Sequence, residues 1–357
     1  MKIYFVWLLL TLLVVTSTTA VAEEKRSEIG ILLPLSGDLA AVGSAVSNGI
    51  AIALEKNPSS FDEIDFVYDD SRYDAKVTLS AFKKMKQREK MKLVYIWGSQ
   101  TCMPVVPIAE KEHFPLVCFS GDPKAGLKYV MSFNSPLAVY ASKITEHLRS
   151  LGATKVAILY SEIPFYENLA FALEEQIKAK VDTYREGVTP SMQDFSTIAS
   201  KLKSKSYDVV ALFFLPHQLP TMLNRMIELN YRPTIVGTDN FADFETEKNF
   251  QSLMDDASYV DMVVDPDFAS AYEKKYGNKS NLTFAYNGYY FALTMAEALN
   301  GKKSINTSED LLKELRNYKT DDFGVGFEEN ATFGQYFSFP IELKKFDNQI
   351  AIDGEGK

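Results

Sequence analysis

The sequence predicts an α/β fold in two lobes, each built around a parallel central sheet. From Glu28 onward, short apolar β-rich runs alternate with amphipathic helical patterns, the signature of βαβ units. The pattern restarts after Asn134-Ser135-Pro136. At 357 residues the chain also exceeds the roughly 250–300 residues at which a single core stops growing.

In the first half, strands are expected at Ile29 to Leu35, Ile64 to Tyr68, Leu93 to Trp97 and Pro115 to Phe119. Between them, Val46, Ile50, Ala53 and Leu54 recur at helical spacing, as do Val77, Leu79, Phe82 and Met85, so helices should cover both faces of that sheet. The second half gives a helix to Leu151, a strand Lys155 to Tyr160, a helix from Pro164, and strands at Val209 to Leu215 and Thr234 to Thr238. A further strand, Ala257 to Val264, leads to helices at Phe268 to Tyr276 and Phe284 to Leu299. From Gly324 the pattern changes: aromatic residues alternate over Phe333 to Phe339, and Ile341 to Phe346 reads as an antiparallel strand. No tandem repeat or flexible Gly/Ser tract separates the halves, so short hinges are expected to join them.

Lys2 followed by the uncharged apolar run Phe5 to Val15 reads as a signal peptide over residues 1–22, with cleavage after Ala20-Val21-Ala22. The run is shorter than the roughly 18 residues of a spanning helix, which disfavours a membrane anchor. A soluble protein, periplasmic or secreted, is therefore expected. The net charge of −9, more negative still once Lys2 is removed, argues against nucleic acid as a partner. Cys102 and Cys118 could pair in an oxidising compartment or pack as buried thiols. His113, His147 and His217 show no metal-ligand spacing, so neither a metal nor another cofactor is expected.

Parallel α/β sheets bind small molecules at the carboxyl ends of their strands. The residues there are Pro34-Leu35-Ser36-Gly37, Gly98-Ser99-Gln100-Thr101 and Ser120-Gly121-Asp122 in the first half, with Glu162 to Tyr166 and Gly237-Thr238-Asp239-Asn240 in the second. Hydroxyls and glycines beside helix N-termini can hold a polar oxygen, although Ser99, Thr101 and Asp122 also suit ordinary helix caps. Asp239 could accept from a ligand N–H, and Trp97, Phe165, Tyr166 and Phe214 could form apolar walls. Enzyme signatures are missing: there is no Gly-x-Ser-x-Gly elbow, phosphate-binding Gly-x-x-x-x-Gly-Lys-Ser/Thr or dinucleotide Gly-x-Gly-x-x-Gly. The pairs Asp69-Asp70 and Asp321-Asp322 are common surface features and by spacing alone define no catalytic site.

Gly30-Ile31-Leu32-Leu33-Pro34-Leu35-Ser36-Gly37, then Gly43 and Gly49 before Ala51-Ile52-Ala53-Leu54, resembles the opening of type I periplasmic binding proteins, and of the leucine/isoleucine/valine-binding branch in particular. Asp69-Asp70, Gly98-Ser99, Val106-Pro107-Ile108-Ala109-Glu110, Phe114 to Phe119, Glu167-Asn168-Leu169-Ala170, Gly237-Thr238-Asp239 and Ala285-Tyr286-Asn287-Gly288 follow in the family's order. The resemblance implies two Rossmann-like lobes joined by a three-crossover hinge, with residues 28–133 and 265–336 in lobe one and 134–264 and 337–357 in lobe two. It implies that Ser99 and the loop Ser120, Gly121 and Asp122 hold a ligand carboxylate, that Phe165 supplies an aromatic contact, and that Asp239 holds an ammonium. Two departures bear on the ligand. Asp122 stands where amino-acid binders carry threonine, and Val42 stands where they carry an aromatic side-chain wall.

The function expected from this resemblance is that of a monomeric receptor which closes on an amino acid, amide or related organic acid and delivers it unchanged to an ABC-type permease. A ligand sensor for a membrane signalling receptor is the alternative within the fold. A periplasmic hydrolase using carboxylates in an interlobe cleft is the alternative from a different functional class.

Overall fold

The computed structural model describes residues 26–120, 125–244, 250–299, 307–321 and 323–346. The expected signal peptide with its cleavage point, Gly121, Asp122 and residues 347–357 lie outside these. Thirteen strands fall into two sheets among the described residues. The first holds β1 (Ser27–Leu33), β2 (Ile64–Asp70), β3 (Met91–Trp97), β4 (Leu116–Phe119), β5 (Val130–Ser132), β11 (Gly326–Asn330) and β12 (Gly334–Ser338) in the order β11-β12-β5-β4-β3-β1-β2. The second holds β6 (Lys155–Ser161), β7 (Asp182–Val188), β8 (Val209–Phe213), β9 (Thr234–Thr238), β10 (Ser258–Met262) and β13 (Ile341–Lys345) in the order β13-β10-β9-β8-β6-β7. Both are doubly wound. All pairs are parallel except β11 with β12 and β10 with β13, which carry the antiparallel character expected of the tail.

Among the described residues, twelve helices connect and cover the sheets: α1 (Ala40–Lys56), α2 (Ala75–Lys86), α3 (Ser99–Cys102), α4 (Val106–Lys111), α5 (Leu137–Ser150), α6 (Pro164–Ile177), α7 (Ser196–Lys205), α8 (Leu219–Glu228), α9 (Gln251–Met254), α10 (Pro266–Tyr276), α11 (Leu282–Leu299) and α12 (Ser308–Arg316). Their starts follow local chemistry. Asp74 caps α2 by accepting from the Lys76 and Val77 amides at 2.8 Å, and Pro164 opens α6 at a position whose amide needs no partner. None of the described helices is long and apolar enough to cross a membrane.

The chain passes between the sheets three times: after β5, after β10 and after β12. The passages are tied to one another. Ser135 Oγ, in the first, donates to the Phe339 carbonyl and accepts from the Phe339 amide in the third, both at 2.7 Å. The Val263 amide, in the second, donates to the Pro340 carbonyl at 2.9 Å. The changeover anticipated between residues 336 and 337 falls inside β12, which pairs with β5 and keeps Phe337 and Ser338 in the first sheet. The last passage is Phe339-Pro340.

α1 lies directly on α11, and glycines make that approach possible. A Cβ on Gly49 would overlap the Ala285 carbonyl, and one on Gly288 would overlap the Val46 carbonyl. Alanine is the better helix former by about 1 kcal/mol, but forcing a methyl against backbone costs about 1–3 kcal/mol. Gly49→Ala should therefore lower the unfolding free energy, read as an earlier urea midpoint at unchanged slope. A later midpoint would show that the two helices can move apart freely.

Candidate functional site

In each sheet the strand order β2-β1-β3-β4-β5, repeated as β7-β6-β8-β9-β10, reverses direction beside its first strand. Helix connections leave to opposite faces on either side of that point, opening a crevice at the strand carboxyl ends. One cavity is lined from both crevices, with an empty volume of about 700 Å³ including its mouth. Leu39 and Val42 enter it after β1, Tyr73 after β2, Trp97, Gly98 and Ser99 at the end of β3, and Phe119 at the end of β4. From the second sheet come Ile163, Phe165 and Tyr166 after β6, Leu215 and Pro216 after β8, and Asp239 and Asn240 after β9. β10 adds Asp261, and the passages and the helices beside them add Asn134, Tyr140, Thr283 and Phe284.

The first-sheet wall is aromatic. Trp97 and Phe119 lie nearly parallel, 9° apart with centroids separated by 5.9 Å, and Phe284 meets both edge-on at 5.5 and 5.9 Å. Tyr73 closes the group, 5.6 Å from Trp97. Gly98 allows this, because its φ of +95° suits glycine and a Cβ there would fall 2.5 Å from the Tyr73 ring. Opposite, Phe165 packs edge-on to Tyr140 and Tyr166 at 6.3 and 5.5 Å. Burial pushes the hydroxyls of Tyr73, Tyr140 and Tyr166 well above the usual tyrosine range, and the charge of Asp239 adds to this at Tyr140 and Tyr166. All three are neutral at physiological pH.

Two carboxylates face the cavity. Asp261 is buried and compensated: it accepts from Thr283 Oγ1 at 2.8 and 3.0 Å, and from Lys344 Nζ and the Met262 amide at 2.9 and 2.7 Å. Asp239 opens the 3₁₀ turn Asp239–Phe244 after β9. Its neighbour Asn240 donates to the Tyr166 hydroxyl at 2.5 Å and to the Phe214 carbonyl at 2.9 Å, fixing that turn to α6 and β8. No Lys, Arg or His lines the cavity among the described residues, and no cluster of His, Cys, Asp and Glu there could hold a metal.

A family model for periplasmic binding proteins matches residues 27–337. This chain belongs to that family. No curated protein sequence matches it. Among solved structures, the periplasmic binding protein is similar to the solute-binding protein of an ABC transporter from R. palustris in complex with benzoate (TM-score 0.77, 16% identity, covering 90% of this chain and 93% of that one). It is also similar to a leucine-binding protein from Thermotoga maritima (0.77, 19%, 90% and 96%) and to a fatty acid ABC transporter substrate-binding protein from Thermomonospora curvata (0.74, 17%, 91% and 89%). At these identities the likeness establishes the fold.

Of the residues singled out in the sequence, this binding protein brings Val42, Trp97, Ser99, Phe165, Tyr166 and Asp239 to one cavity. Others sit outside its lining. Thr101 turns its hydroxyl back to the Trp97 and Gly98 carbonyls at 2.6 and 2.9 Å. Ser120 is buried behind Ser99, with the two hydroxyls 2.8 Å apart. Phe214 follows the even-numbered residues of β8 into a separate core and packs on Phe195 at 5.2 Å. Ser36 donates to Asp70 at 2.5 Å instead of facing the cavity. Sequence reasoning missed Tyr73, Asn134, Tyr140, Asp261, Thr283 and Phe284, which reach the site from a loop, the passages and helix starts.

Cys102 in α3 and Cys118 in β4 form a disulfide, with Cα atoms 5.9 Å apart. The bond ties the segment that starts at Ser99 to the strand that ends at Phe119. Closing a separation of 16 residues should contribute about 3 kcal/mol by restricting the unfolded chain. The double variant Cys102→Ser/Cys118→Ser should lose about that much in urea unfolding. A loss below about 1 kcal/mol would show that the packed core around the pair already restrains these segments.

Proposed function

We propose that this chain is an extracytoplasmic receptor that closes two lobes on a small polar solute and delivers it unchanged to an ABC-type permease. The observation that carries the reading is the cavity itself, walled from both sheets at the carboxyl ends of their strands, with carboxylate and amide groups set among aromatic rings. The solutes named for the similar structures, benzoate, leucine and fatty acid, are small molecules with an apolar body and a polar end, and this cavity has the same mixture of surfaces. We assign lobe one to the first sheet with its helices and lobe two to the second, the three tied passages acting as the hinge. The role as a monomer in the periplasm, reached through a signal peptide over residues 1–22, belongs to the same proposal.

Thermal-shift measurement over amino acids, amides and organic acids tests it. A solute present at 100 times its dissociation constant adds about 2.7 kcal/mol to stability, and mass spectrometry should recover it chemically unchanged. Turnover of any bound solute would replace the receptor reading with an enzymatic one. For a solute that directs an N–H to Asp239, Asp239→Asn should weaken binding by about 1.5–3 kcal/mol, the range for a hydrogen bond to a charged group. Equal affinities in a calorimetric titration would remove Asp239 from the site.

A further inference from the structure

Two buried donors in the cavity are left unused by the protein. Trp97 is 7% exposed and its Nε1 has no acceptor. Asn134 is fully buried, its Oδ1 accepts from the Tyr140 hydroxyl at 2.8 Å, and its Nδ2 has no acceptor. Native interiors leave few buried donors unpaired because each costs free energy, so two in the lining of one cavity call for an acceptor from outside the chain. The charges around them narrow its chemistry. Asp261 is already satisfied by Lys344 and Thr283, and the lining described here offers no cation. A carboxylate ligand would add a negative charge beside Asp239 with no cationic side chain among the described lining residues to meet it. An ammonium would leave both donors empty.

We infer that the cleft takes a neutral carboxamide carried on an apolar, ring-sized body, its oxygen accepting from Trp97 Nε1 and Asn134 Nδ2. The parallel Trp97 and Phe119 rings, met edge-on by Phe284, supply the apolar face for that body. The inference rests on the receptor reading and specifies its solute class.

The chain contains two tryptophans, Trp7 and Trp97, so Trp7→Phe leaves Trp97 as the only one. In that full-length variant, benzamide should change the tryptophan emission. Benzoate, benzylamine and leucine should bind at least about tenfold more weakly, the equivalent of one hydrogen bond. Trp97→Phe, followed by calorimetry, keeps an aromatic ring and removes the N–H. It should weaken benzamide about tenfold, read well below the melting temperature of the unliganded variant, which the smaller ring in this packed wall lowers. Unchanged benzamide affinity in Trp97→Phe, or benzoate or benzylamine binding as tightly as benzamide, overturns the inference. If benzamide is silent while another of the four binds, the amide assignment falls and the receptor stands. Silence toward all four and toward the wider solute panel removes both.

Discussion

The close crossing of α1 and α11 is the constraint on which the site depends. Where Gly49 meets the Ala285 carbonyl and Gly288 meets that of Val46, the two backbones touch with no side chain between them. The start of α1 then delivers Leu39 and Val42 to the cavity, and the start of α11 delivers Thr283 and Phe284. α11 is reached only after the chain has built five strands of the second sheet, so this crossing also returns the chain to a helix that follows the first strand of the first sheet. Thr283 bonds to Asp261 on β10, and Asn287 donates to the Phe133 carbonyl at the first passage while accepting from Tyr95. One helix thus joins an aromatic wall, a buried carboxylate and the passages between sheets.

Electrostatics and shape work together in the cavity. Its tyrosine hydroxyls stay neutral because burial opposes their ionisation, and Asp239 reinforces this at Tyr140 and Tyr166. The local charge is therefore set by the two aspartates. Asp261 is bonded both to Thr283 at the start of α11 and to Lys344 on β13, so it links the helix that crosses α1 to the second sheet.

Much of the fold was legible because the central strands are buried on both faces and read as continuous apolar runs, as in Lys155–Ser161 and Val209–Phe213. β7 escaped notice because Asp182–Val188 is a half-buried edge strand that mixes charged and apolar residues, and β5 because three residues give no period. The site was legible in the same uneven way. Ser99, Phe165 and Asp239 follow recognisable strands, so the strand-end rule finds them. Asn134 and Asp261 lie where the chain changes sheets, and Phe284 comes from a helix far along the sequence, so only the assembled topology brings them in. Phe214 was misplaced by parity: one residue earlier or later along a strand reverses the face that a side chain occupies.

The interleaving of the sheets also orders events as the chain folds. The first sheet collects β1 to β5 early but leaves one side of β5 unpaired until β12 is made, and β10 waits in the same way for β13. Each lobe is therefore completed by strands from residues 326–345, a short stretch that serves both. Pairings at such long sequence separation raise contact order and slow folding. Until that stretch arrives, two bare strand edges offer their amides and carbonyls to any neighbouring chain, so the interval of greatest exposure to aggregation is set by the last piece of sheet to be synthesised.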